Sequence, residues 1–262
     1  GKHECGPAAS PISLTMALPT HRKSYPSHLP INSAHTAYVP SAFDYFNLGD
    51  HVGDCAKTVS RNRQHLIEYL PIATHIQWLE QVHGNNVVIV TDYTDKPIVA
   101  DAAITRSRDI ALAIMTADCL PILLSNQDGS EIAAIHGGWR PLSSNIISQT
   151  IAKMHSKPSD IVAWLGPCIG KDAFEVGIEV KQRFCELSPD FDSAYTPIVT
   201  ANNIKPVKYL ADLQLIAELQ LTTLGIKSIA KIIECTYANS EKYYSYRRDG
   251  KTGRMASVIS LI

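Results

Sequence analysis

The chain has 262 residues, of which 45% are hydrophobic and 19% are charged, and its formal net charge is −1. This composition is typical of an ordinary globular protein, and the balanced charge gives no electrostatic reason to expect binding to nucleic acid or to a membrane. No apolar stretch reaches the roughly 20 residues that a membrane span requires, and the first residues lack the plan of a signal peptide. We therefore expect a cytoplasmic protein. We also expect a monomer, although none of these features determines the oligomeric state.

The cysteines are scattered along the chain without the short paired spacings that mark a disulfide framework or a zinc ribbon. We expect most of them to be buried as small apolar residues. They lie at positions 5, 55, 119, 168, 185 and 235. We assign no function to Cys5 or to the nearby His3.

Hydrophobic periodicity predicts alternating strands and helices after a proline-rich start. Roughly the first 35 residues show no period, and residues 40–54 and 188–207 have the composition of loops. Helices are predicted at Thr58–Leu70, Pro141–Met154, Phe174–Phe184 and Leu210–Leu224. Strands are predicted at Ile76–Leu79, Val87–Thr91, Ala102–Thr105, Ile110–Met115, Ile132–Ile135, Ile161–Leu165, Ile229–Ile233 and Ala256–Leu261. We therefore predict one mixed α/β domain over residues 1–262.

Three apolar runs each lead to a residue that can bind a metal ion or act as a nucleophile: His83, Cys119 and His136. A lone histidine at a strand end is usually structural, and a lone cysteine usually belongs to the core. If the three side chains converge, thiolate and imidazole donors suit zinc, and three protein ligands leave a fourth position for a water that the metal can acidify. Their spacing matches no local zinc signature, so the pattern alone leaves both interpretations open.

The residues around Cys119 also have two interpretations. Pro121 fits the first turn of a helix or the edge of a strand. Asp118 is then either the cap of that element or a general acid or base.

Further candidates carry guanidinium groups or aromatic rings. Arg140, Arg247 and Arg248 can bind phosphate through paired donors, although surface arginines more often form ion pairs. Tyr244 and Tyr246, beside the arginine pair, can stack on a base or simply pack in the core.

Six sequence blocks resemble, in order, the signature blocks of the bacterial laccase-domain proteins. The blocks are LEQVHG (79–84), MTADCLP (115–121), HGGWR (136–140), WLGPCIG (164–170), FEVG (174–177) and SYRRDGKTGRMAS (245–257). This YfiH/YlmD-like family is described variously as multicopper polyphenol oxidase, purine nucleoside phosphorylase and peptidoglycan editing factor. The resemblance extends from about residue 45 to the end of the chain, and the number of blocks makes it specific.

The resemblance implies a layered α/β fold in which helices flank mixed β-sheets. It also implies one zinc ion held by His83, Cys119 and His136, which copper can replace in vitro. The implied activities are phosphorolysis of adenosine, inosine or methylthioadenosine and hydrolytic deamination of adenosine, carried out by a cytoplasmic enzyme.

The resemblance leads us to expect roles for other side chains. Arg247 and Arg248, and next Arg140, are expected to hold phosphate beneath C1′ of the sugar during phosphorolysis. Asp118 is expected to move a proton while zinc-activated water attacks C6 of the purine during deamination. Asn47, in FNLG, is similar to the family block SLNLG and is expected to line the nucleoside pocket, with Tyr244 and Tyr246 also expected at the substrate.

The N-terminal segment, residues 1–40, departs from the family. Relatives carry a Thr-Arg-x-Gly-Gly-Val-Ser block before SLNLG, whereas this chain has NSAHTAY at residues 32–38. If the family arginine contributes to anion binding, phosphorolysis is expected to be weakened or altered here. The zinc ligands remain complete.

Three other functions stay open at this point. A multicopper oxidase needs a blue-copper centre and a histidine-rich trinuclear cluster, but this chain has 4 methionines and no His-x-His pair. Copper-dependent polyphenol oxidation is therefore the weaker alternative, as a side reaction after metal replacement. Cys119 can instead be the histidine-activated nucleophile of a hydrolase that edits cell-wall precursors. The third alternative is a zinc-stabilised binding module without enzymatic activity.

Overall fold

The computed structural model describes residues 15–16, 42–43, 45–71, 74–199 and 208–261. Its helices are α1 (Ala56–Ile67), α2 (Trp139–Ser143), α3 (Ile146–Lys153), α4 (Ile178–Cys185), α5 (Leu213–Thr223) and α6 (Tyr246–Asp249). Its strands are β1 (Thr15–Met16), β2 (His75–Gln77), β3 (Leu79–Glu80), β4 (Val87–Val90), β5 (Ile98–Val99), β6 (Ala102–Thr105), β7 (Ile110–Thr116), β8 (Leu120–Asn126), β9 (Ile132–Gly137), β10 (Ile161–Leu165), β11 (Glu175–Gly177), β12 (Tyr195–Pro197), β13 (Lys208–Ala211), β14 (Ser228–Lys231) and β15 (Met255–Ser260). Apart from β1, the N-terminal segment with His3, Cys5 and residues 32–38 lies outside the described residues.

Two sheets packed face to face form the centre of the structure. The larger sheet has the strand order β14-β10-β8-β9-β6-β4, and the smaller has the order β1-β15-β7-β2. Leu112 and Ile114 on β7 pack between the sheets with Leu123 on β8 and Ala134 on β9. Because β7, β8 and β9 are buried on both faces, their sequences are nearly continuous apolar runs.

Helices cover the outer faces of both sheets. Leu66 of α1 packs with Ala111 and Ala113 on the outer face of the smaller sheet. Ile147 of α3 and Ile216 of α5 belong to the hydrophobic cluster on the outer face of the larger sheet. Residues of a small sheet of order β11-β13-β12 belong to the same cluster. This layered arrangement confirms the predicted α/β fold of mixed sheets flanked by helices. None of the described helices is long and apolar enough to cross a membrane.

The segment after Cys119 differs from its prediction. It forms β8, an interior strand of the larger sheet, and neither a helix nor an edge strand. Proline is tolerated here because Pro121 stands near the start of the strand, one residue before the pairing with β10 begins at Ile122. Its carbonyl still accepts the N–H of Gly166 at 2.9 Å.

All four predicted helices differ from their predicted bounds, and the first, predicted at 58–70, is α1 at Ala56–Ile67. α4 and α5 begin later than predicted because the residues before them form β11 and β13, which pair with each other. Asp212 then caps α5, since its side chain accepts the N–H of Leu215 at 3.0 Å. The helix predicted at 141–154 is divided into α2 and α3 by Asn145, whose backbone is left-handed with φ 62°.

The cysteines of the described ranges are free thiols that differ in exposure. Cys168 is buried, whereas Cys119, Cys185 and Cys235 are partly exposed and Cys55 is exposed. The expectation that most cysteines are buried is therefore confirmed only for Cys168.

Candidate metal centre and active site

The side chains of His83, Cys119 and His136 meet at one point in the structure. Their potential ligand atoms lie within 4.8 Å of one another, and Cys119 Sγ is 3.9 Å from His83 Nε2. Strand pairing brings two of them together, because β8 begins directly after Cys119 and pairs antiparallel with β9, which carries His136. His83 lies in the loop after β3. Its ring packs edge-on against the His136 ring, with 4.7 Å between the ring centres. The three residues predicted from strand ends therefore do converge.

Asp101 connects two of these residues. Its side chain is buried, and Oδ1 lies 2.7 Å from His136 Nδ1. The same carboxylate accepts the backbone N–H groups of His83 at 2.9 Å and of Gly84 at 2.7 Å. Metal-binding histidines commonly have one ring nitrogen held by a carboxylate in this way, which leaves the other nitrogen for the metal. One carboxylate thus orients the His136 ring and the loop that carries His83.

The backbone lies close to the cluster at Gly138. A Cβ at Gly138 would lie 3.2 Å from Cys119 Sγ and 3.4 Å from His83 Cδ2. His83 and Asp118 both have left-handed backbones, with φ 58° and φ 101°. Such conformations are costly for residues other than glycine and persist where many contacts hold them, often at functional sites.

Cys119 and His136 change each other's ionisation. Burial opposes charge on the thiol, but the His136 charge and hydrogen bonds from His136 and His83 outweigh it and lower the pKa of Cys119 to about 6. Burial also opposes charge on His136, yet the Cys119 thiolate and the Asp101 carboxylate raise the pKa of His136 to about 9. Each group therefore favours the charged form of the other when no metal ion is bound. A metal cation can take the place of the imidazolium proton.

The donor set fits zinc. Tetrahedral zinc has bonds of about 2.0–2.3 Å, which separate its ligand atoms by roughly 3.5 Å. The 3.9 Å between Cys119 Sγ and His83 Nε2 is close to this spacing. Two imidazoles and one thiolate supply three of four positions, which is the pattern of catalytic zinc sites. Within the described ranges, no second group of metal-binding side chains of this kind was found.

The cluster opens into a cavity of about 640 Å³. Its lining combines aromatic rings with guanidinium groups, which suits a flat ligand that carries or accompanies an anion. The aromatic residues are Trp78, Trp139, Phe174 and Tyr246, and the arginines are Arg63, Arg140, Arg247 and Arg254.

Four of the predicted site residues other than the metal ligands line this cavity: Asp118, Arg140, Arg247 and Tyr246. The Arg140 guanidinium carbon lies 4.7 Å from the centre of the Trp139 ring. The Arg247 guanidinium carbon lies 5.5 Å from the centre of the Phe174 ring. Both guanidinium groups thus lie beside aromatic surface at the cavity.

Asp118 is held by two hydrogen bonds. Its Oδ1 accepts the hydroxyl of Thr236 and its Oδ2 accepts the N–H of Arg247, both at 2.7 Å. Arg247 lies in the first turn of α6, whose N-cap is Ser245. The carboxylate therefore helps to cap α6, and the interpretation that it caps the element following Cys119 is wrong.

Asn47 and Tyr244, predicted to contact the substrate, do not line the cavity. Both are 0% exposed. Asn47 Oδ1 accepts the N–H groups of Gly49 at 2.9 Å and Arg254 at 2.8 Å. The Tyr244 hydroxyl donates to the carbonyl of Phe43 at 3.3 Å. The structure thus corrects their predicted role, because both side chains are enclosed and hydrogen-bonded by the protein itself.

Arg248, predicted to bind phosphate, is also used within the protein. Its guanidinium donates to the carbonyls of Thr236 at 2.8 Å, Tyr237 at 2.8 Å and Tyr243 at 2.9 Å. It also pairs with Asp249. Arg248 does not line the cavity, so the structure does not support direct contact with phosphate at this residue.

Sequence reasoning missed Asp101 and Arg254. Asp101 stands between apolar residues in VADAAIT, and a single acid at such a place is a candidate for a buried, paired carboxylate. Arg254 lies inside the SYRRDGKTGRMAS block, where the adjacent pair of arginines was the stronger pattern. Only the fold reveals the partners of both residues.

Comparison with known proteins identifies the family. Residues 32–262 match the family model described as multi-copper polyphenol oxidoreductase laccase. Purine nucleoside phosphorylase YfiH of Shigella flexneri is 40% identical over 220 residues, which cover 84% of this chain and 88% of that protein. A purine nucleoside phosphorylase of Haemophilus influenzae is 42% identical over 214 residues, which cover 82% of this chain and 86% of that protein.

Solved structures share the fold. A Neisseria meningitidis protein of the DUF152 family has a TM-score of 0.79 at 38% identity, covering 85% of this chain and 88% of that one. YlmD from Geobacillus stearothermophilus has a TM-score of 0.72 at 28% identity, covering 87% of this chain and 88% of that one. From its sequence and its fold, this chain belongs to the laccase-like family that includes YfiH and YlmD.

Proposed function

We propose that this chain is a zinc-dependent purine nucleoside enzyme. The proposed reactions are phosphorolysis of adenosine, inosine and methylthioadenosine and hydrolytic deamination of adenosine. The observation that carries the proposal is the cluster of His83, Cys119 and His136, which opens into a cavity lined by aromatic rings and arginines. The relatives named purine nucleoside phosphorylases, at 40% and 42% identity, support the same assignment.

The cavity suits a nucleoside and a phosphate ion. Its volume of about 640 Å³ lies in the range of small-molecule sites. Trp139 and Phe174 offer flat apolar surface for a purine, and Tyr246 adds a third ring. Arg140 and Arg247, each beside one of these rings, offer donors for phosphate. We therefore assign the purine to the rings and the phosphate to the guanidinium groups.

The metal and the side chains have separate tasks in this proposal. Zinc held by three protein ligands supplies Lewis-acid chemistry with an open coordination position. Arg140 and Arg247 hold phosphate near C1′ and stabilise the charge that develops as the glycosidic bond breaks. Asp118 moves a proton during deamination. Its two hydrogen bonds, to Thr236 and to the backbone of Arg247, fix the carboxylate at the cavity wall.

The proposal is tested by chromatography of adenosine after incubation with protein of known zinc content. Adenine that forms only with phosphate demonstrates phosphorolysis, and inosine that forms without phosphate demonstrates deamination. Cys119→Ala should abolish both reactions, whereas Cys185→Ala, which changes a thiol outside the cavity lining, should leave both unchanged. A protein that carries one zinc ion and turns over no purine nucleoside would contradict the proposal.

A second candidate function is favoured by the lowered pKa of Cys119. The thiolate can act as the nucleophile of a cysteine hydrolase, with His136 as the proton donor, on a cell-wall precursor. Metal content separates the two candidates, because a zinc-bound thiolate is a poorer nucleophile. Chelation should abolish the nucleoside reactions but activate a cysteine hydrolase.

The family description also refers to polyphenol oxidation. A multicopper oxidase uses several copper sites of different geometry, and one metal-binding cluster was found in the part of the chain that the structure describes. We therefore assign polyphenol oxidation only to a side reaction of protein in which copper has replaced zinc.

A further inference from the structure

Arg254 is a partly buried cation at the cavity, close to the metal centre. It lines the cavity, and the charges of Cys119 and Asp118 both act on it. Burial lowers the pKa of Arg254 from its ordinary value, while those two negative groups oppose the change. Its Nη1 donates to the carbonyls of Thr252 and Gly253, both at 3.0 Å. No carboxylate among the described residues pairs with it.

The other arginines of the cavity are held differently. Arg63 pairs with Asp50 at 3.2 Å, and its Nε donates to the carbonyl of Leu48 at 2.9 Å. Arg140 and Arg247 are exposed, so solvent and salt screen their attraction for an anion. Among the cavity arginines of the described structure, Arg254 is the one that is both partly buried and without a carboxylate partner. Arg63 has a carboxylate partner, and Arg140 and Arg247 are exposed.

The Arg254 side chain is positioned before any ligand arrives. Asn47 accepts the backbone N–H of Arg254 at 2.8 Å. A Cβ at Gly49 would lie only 2.8 Å from Arg254 Cγ, so glycine allows the aliphatic part of the side chain to lie against the backbone there. A guanidinium that is already held in place loses less conformational entropy when it binds an anion.

The remaining donors of Arg254 determine which ligand fits. Nη1 donates to two carbonyls, whereas Nε and Nη2 have no acceptor among the described residues and are not buried. These two groups form the planar fork that matches two oxygen atoms of a phosphate ion. The cavity as a whole has only a weak positive excess, since four arginines line it together with Asp50, Glu80 and Asp118. Local geometry, more than the overall field, must therefore select the anion.

We infer that Arg254 binds the phosphate ion that attacks the nucleoside, with Arg140 and Arg247 closing over it from the exposed side. The inference rests on the proposed function, and it adds Arg254 to Arg140 and Arg247 as a phosphate ligand in place of the predicted Arg248. Phosphate binding at Arg254 predicts a selective defect. Removing the guanidinium should impair phosphorolysis through phosphate affinity and leave deamination, which uses no phosphate, nearly unchanged.

The test is calorimetric titration of inorganic phosphate into zinc-loaded wild-type protein and into Arg254→Gln, Arg254→Lys and Arg61→Gln variants. Arg254→Gln should raise the phosphate Kd by about tenfold to a hundredfold. Arg254→Lys keeps the charge but not the fork and should have an intermediate Kd. Arg61→Gln, an exposed change on α1, should match the wild type. The KM for phosphate should follow the same order, while the KM for adenosine and the deamination rate stay constant.

The outcomes separate this inference from the proposed function. Phosphorolysis with an unchanged phosphate Kd and KM in folded Arg254→Gln would overturn the inference and leave the proposed function standing. Phosphate binding that depends on Arg254, without turnover of any nucleoside, would support the anion site and overturn phosphorolysis. Neither binding nor turnover in wild-type protein would overturn both. If Arg254→Gln does not fold, as judged by circular dichroism, an unchanged Kd in Arg254→Lys overturns the inference instead.

Discussion

His136 Nδ1 lies 2.7 Å from Asp101 Oδ1, and the two side chains are 3% and 0% exposed. The same carboxylate holds the backbone of His83 through its N–H. Two potential metal ligands, one on β9 and one in the loop after β3, are therefore oriented by one acid. Changes at Asp101 should appear in metal affinity.

Asp101→Asn should weaken zinc binding by about tenfold to a hundredfold, the usual effect of losing a carboxylate behind a metal-binding histidine. The amide keeps the size of the side chain, but it cannot accept hydrogen bonds at both positions from His136 and the His83 loop. Competition with a chromophoric chelator measures the affinity. Asp109→Asn, an exposed change before β7, is the control, and equal zinc affinity in both variants would contradict the orienting role.

Cys119 in metal-free protein should react rapidly with iodoacetamide at neutral pH. Because its pKa is lowered to about 6, the thiolate form dominates above that pH, and the alkylation rate should reach half its maximum near pH 6. Peptide mass spectrometry separates Cys119 from Cys185, whose pKa is raised by burial and which should react slowly at pH 7. Stoichiometric zinc should protect Cys119. A rate midpoint near that of an ordinary thiol would exclude the proposed ion pair with His136.

Asp118→Asn should reduce the deamination rate about a hundredfold or more, the usual scale for loss of a general acid or base. Asparagine tolerates the left-handed backbone at this position, so the substitution mainly removes the charge. Thr236→Val, which removes one hydrogen-bond partner but keeps the carboxylate, should have a much smaller effect. Deamination at the wild-type rate in Asp118→Asn, with zinc content unchanged, would assign Asp118 a purely structural role.

Arg248→Gln should lower stability without changing the affinity for phosphate. The arginine links carbonyls at Thr236, Tyr237 and Tyr243 around α6, and losing such charged hydrogen bonds costs about 1.5–3 kcal/mol. For a chain of this size the corresponding fall in Tm is about 3–12 °C, measured by calorimetry. A raised phosphate KM with an unchanged Tm would indicate that Arg248 binds phosphate after all.

Acid should unfold the protein partly through Glu131. Burial opposes its ionisation, but the N–H groups of His155 and Ser156 and the charge of Arg106 outweigh burial and lower its pKa. Because the pKa is lower in the folded state, the stabilisation is present above the unfolded-state pKa of about 4.3 and is lost as pH falls through the folded-state value. Glu131→Gln should lose about 2–3 kcal/mol at pH 7 and depend less on pH below 5.

Urea unfolding at a series of pH values checks the Glu131 prediction. Glu186→Gln, an exposed change just after α4, is the matched control and should retain the acid sensitivity of the wild type. Parallel stability curves for Glu131→Gln and wild-type protein between pH 3 and 5 would show that Glu131 does not contribute to acid unfolding.

The sequence predicts the fold best where burial is continuous. β7 and β9 are apolar on both faces, so hydrophobic runs are enough to identify them. β8 is not predicted as a central strand because Pro121 is a local signal against one. The strand tolerates this proline only because its pairing with β10 begins after Pro121, which no local pattern shows. β11 and β13 are short, and their pairing joins residues such as Val176 and Tyr209, which no local pattern connects.

For the site, too, local features are visible in the sequence and long-range contacts are not. The strand-end positions of His83, Cys119 and His136 are visible in the sequence, and resemblance to a family groups them. Their supports are defined by contacts between distant residues: the backbone N–H of Arg254 donates to Asn47 Oδ1 across 207 positions of the chain. Tertiary contacts of this kind have no local signature. The metal identity, the cytoplasmic location, the monomeric state and the single-domain organisation stay predictions.

Two of the metal ligands lie where the chain passes from the smaller central sheet to the larger. The chain leaves the smaller sheet at β2 and passes through β3, which pairs with β5, before it reaches His83 and then β4 of the larger sheet. Cys119 lies directly between β7 and β8. A metal ion bound there would clamp the two sheets together, and its binding free energy would add to the free energy of their docking. Zinc binding would then depend on correct assembly of both central sheets.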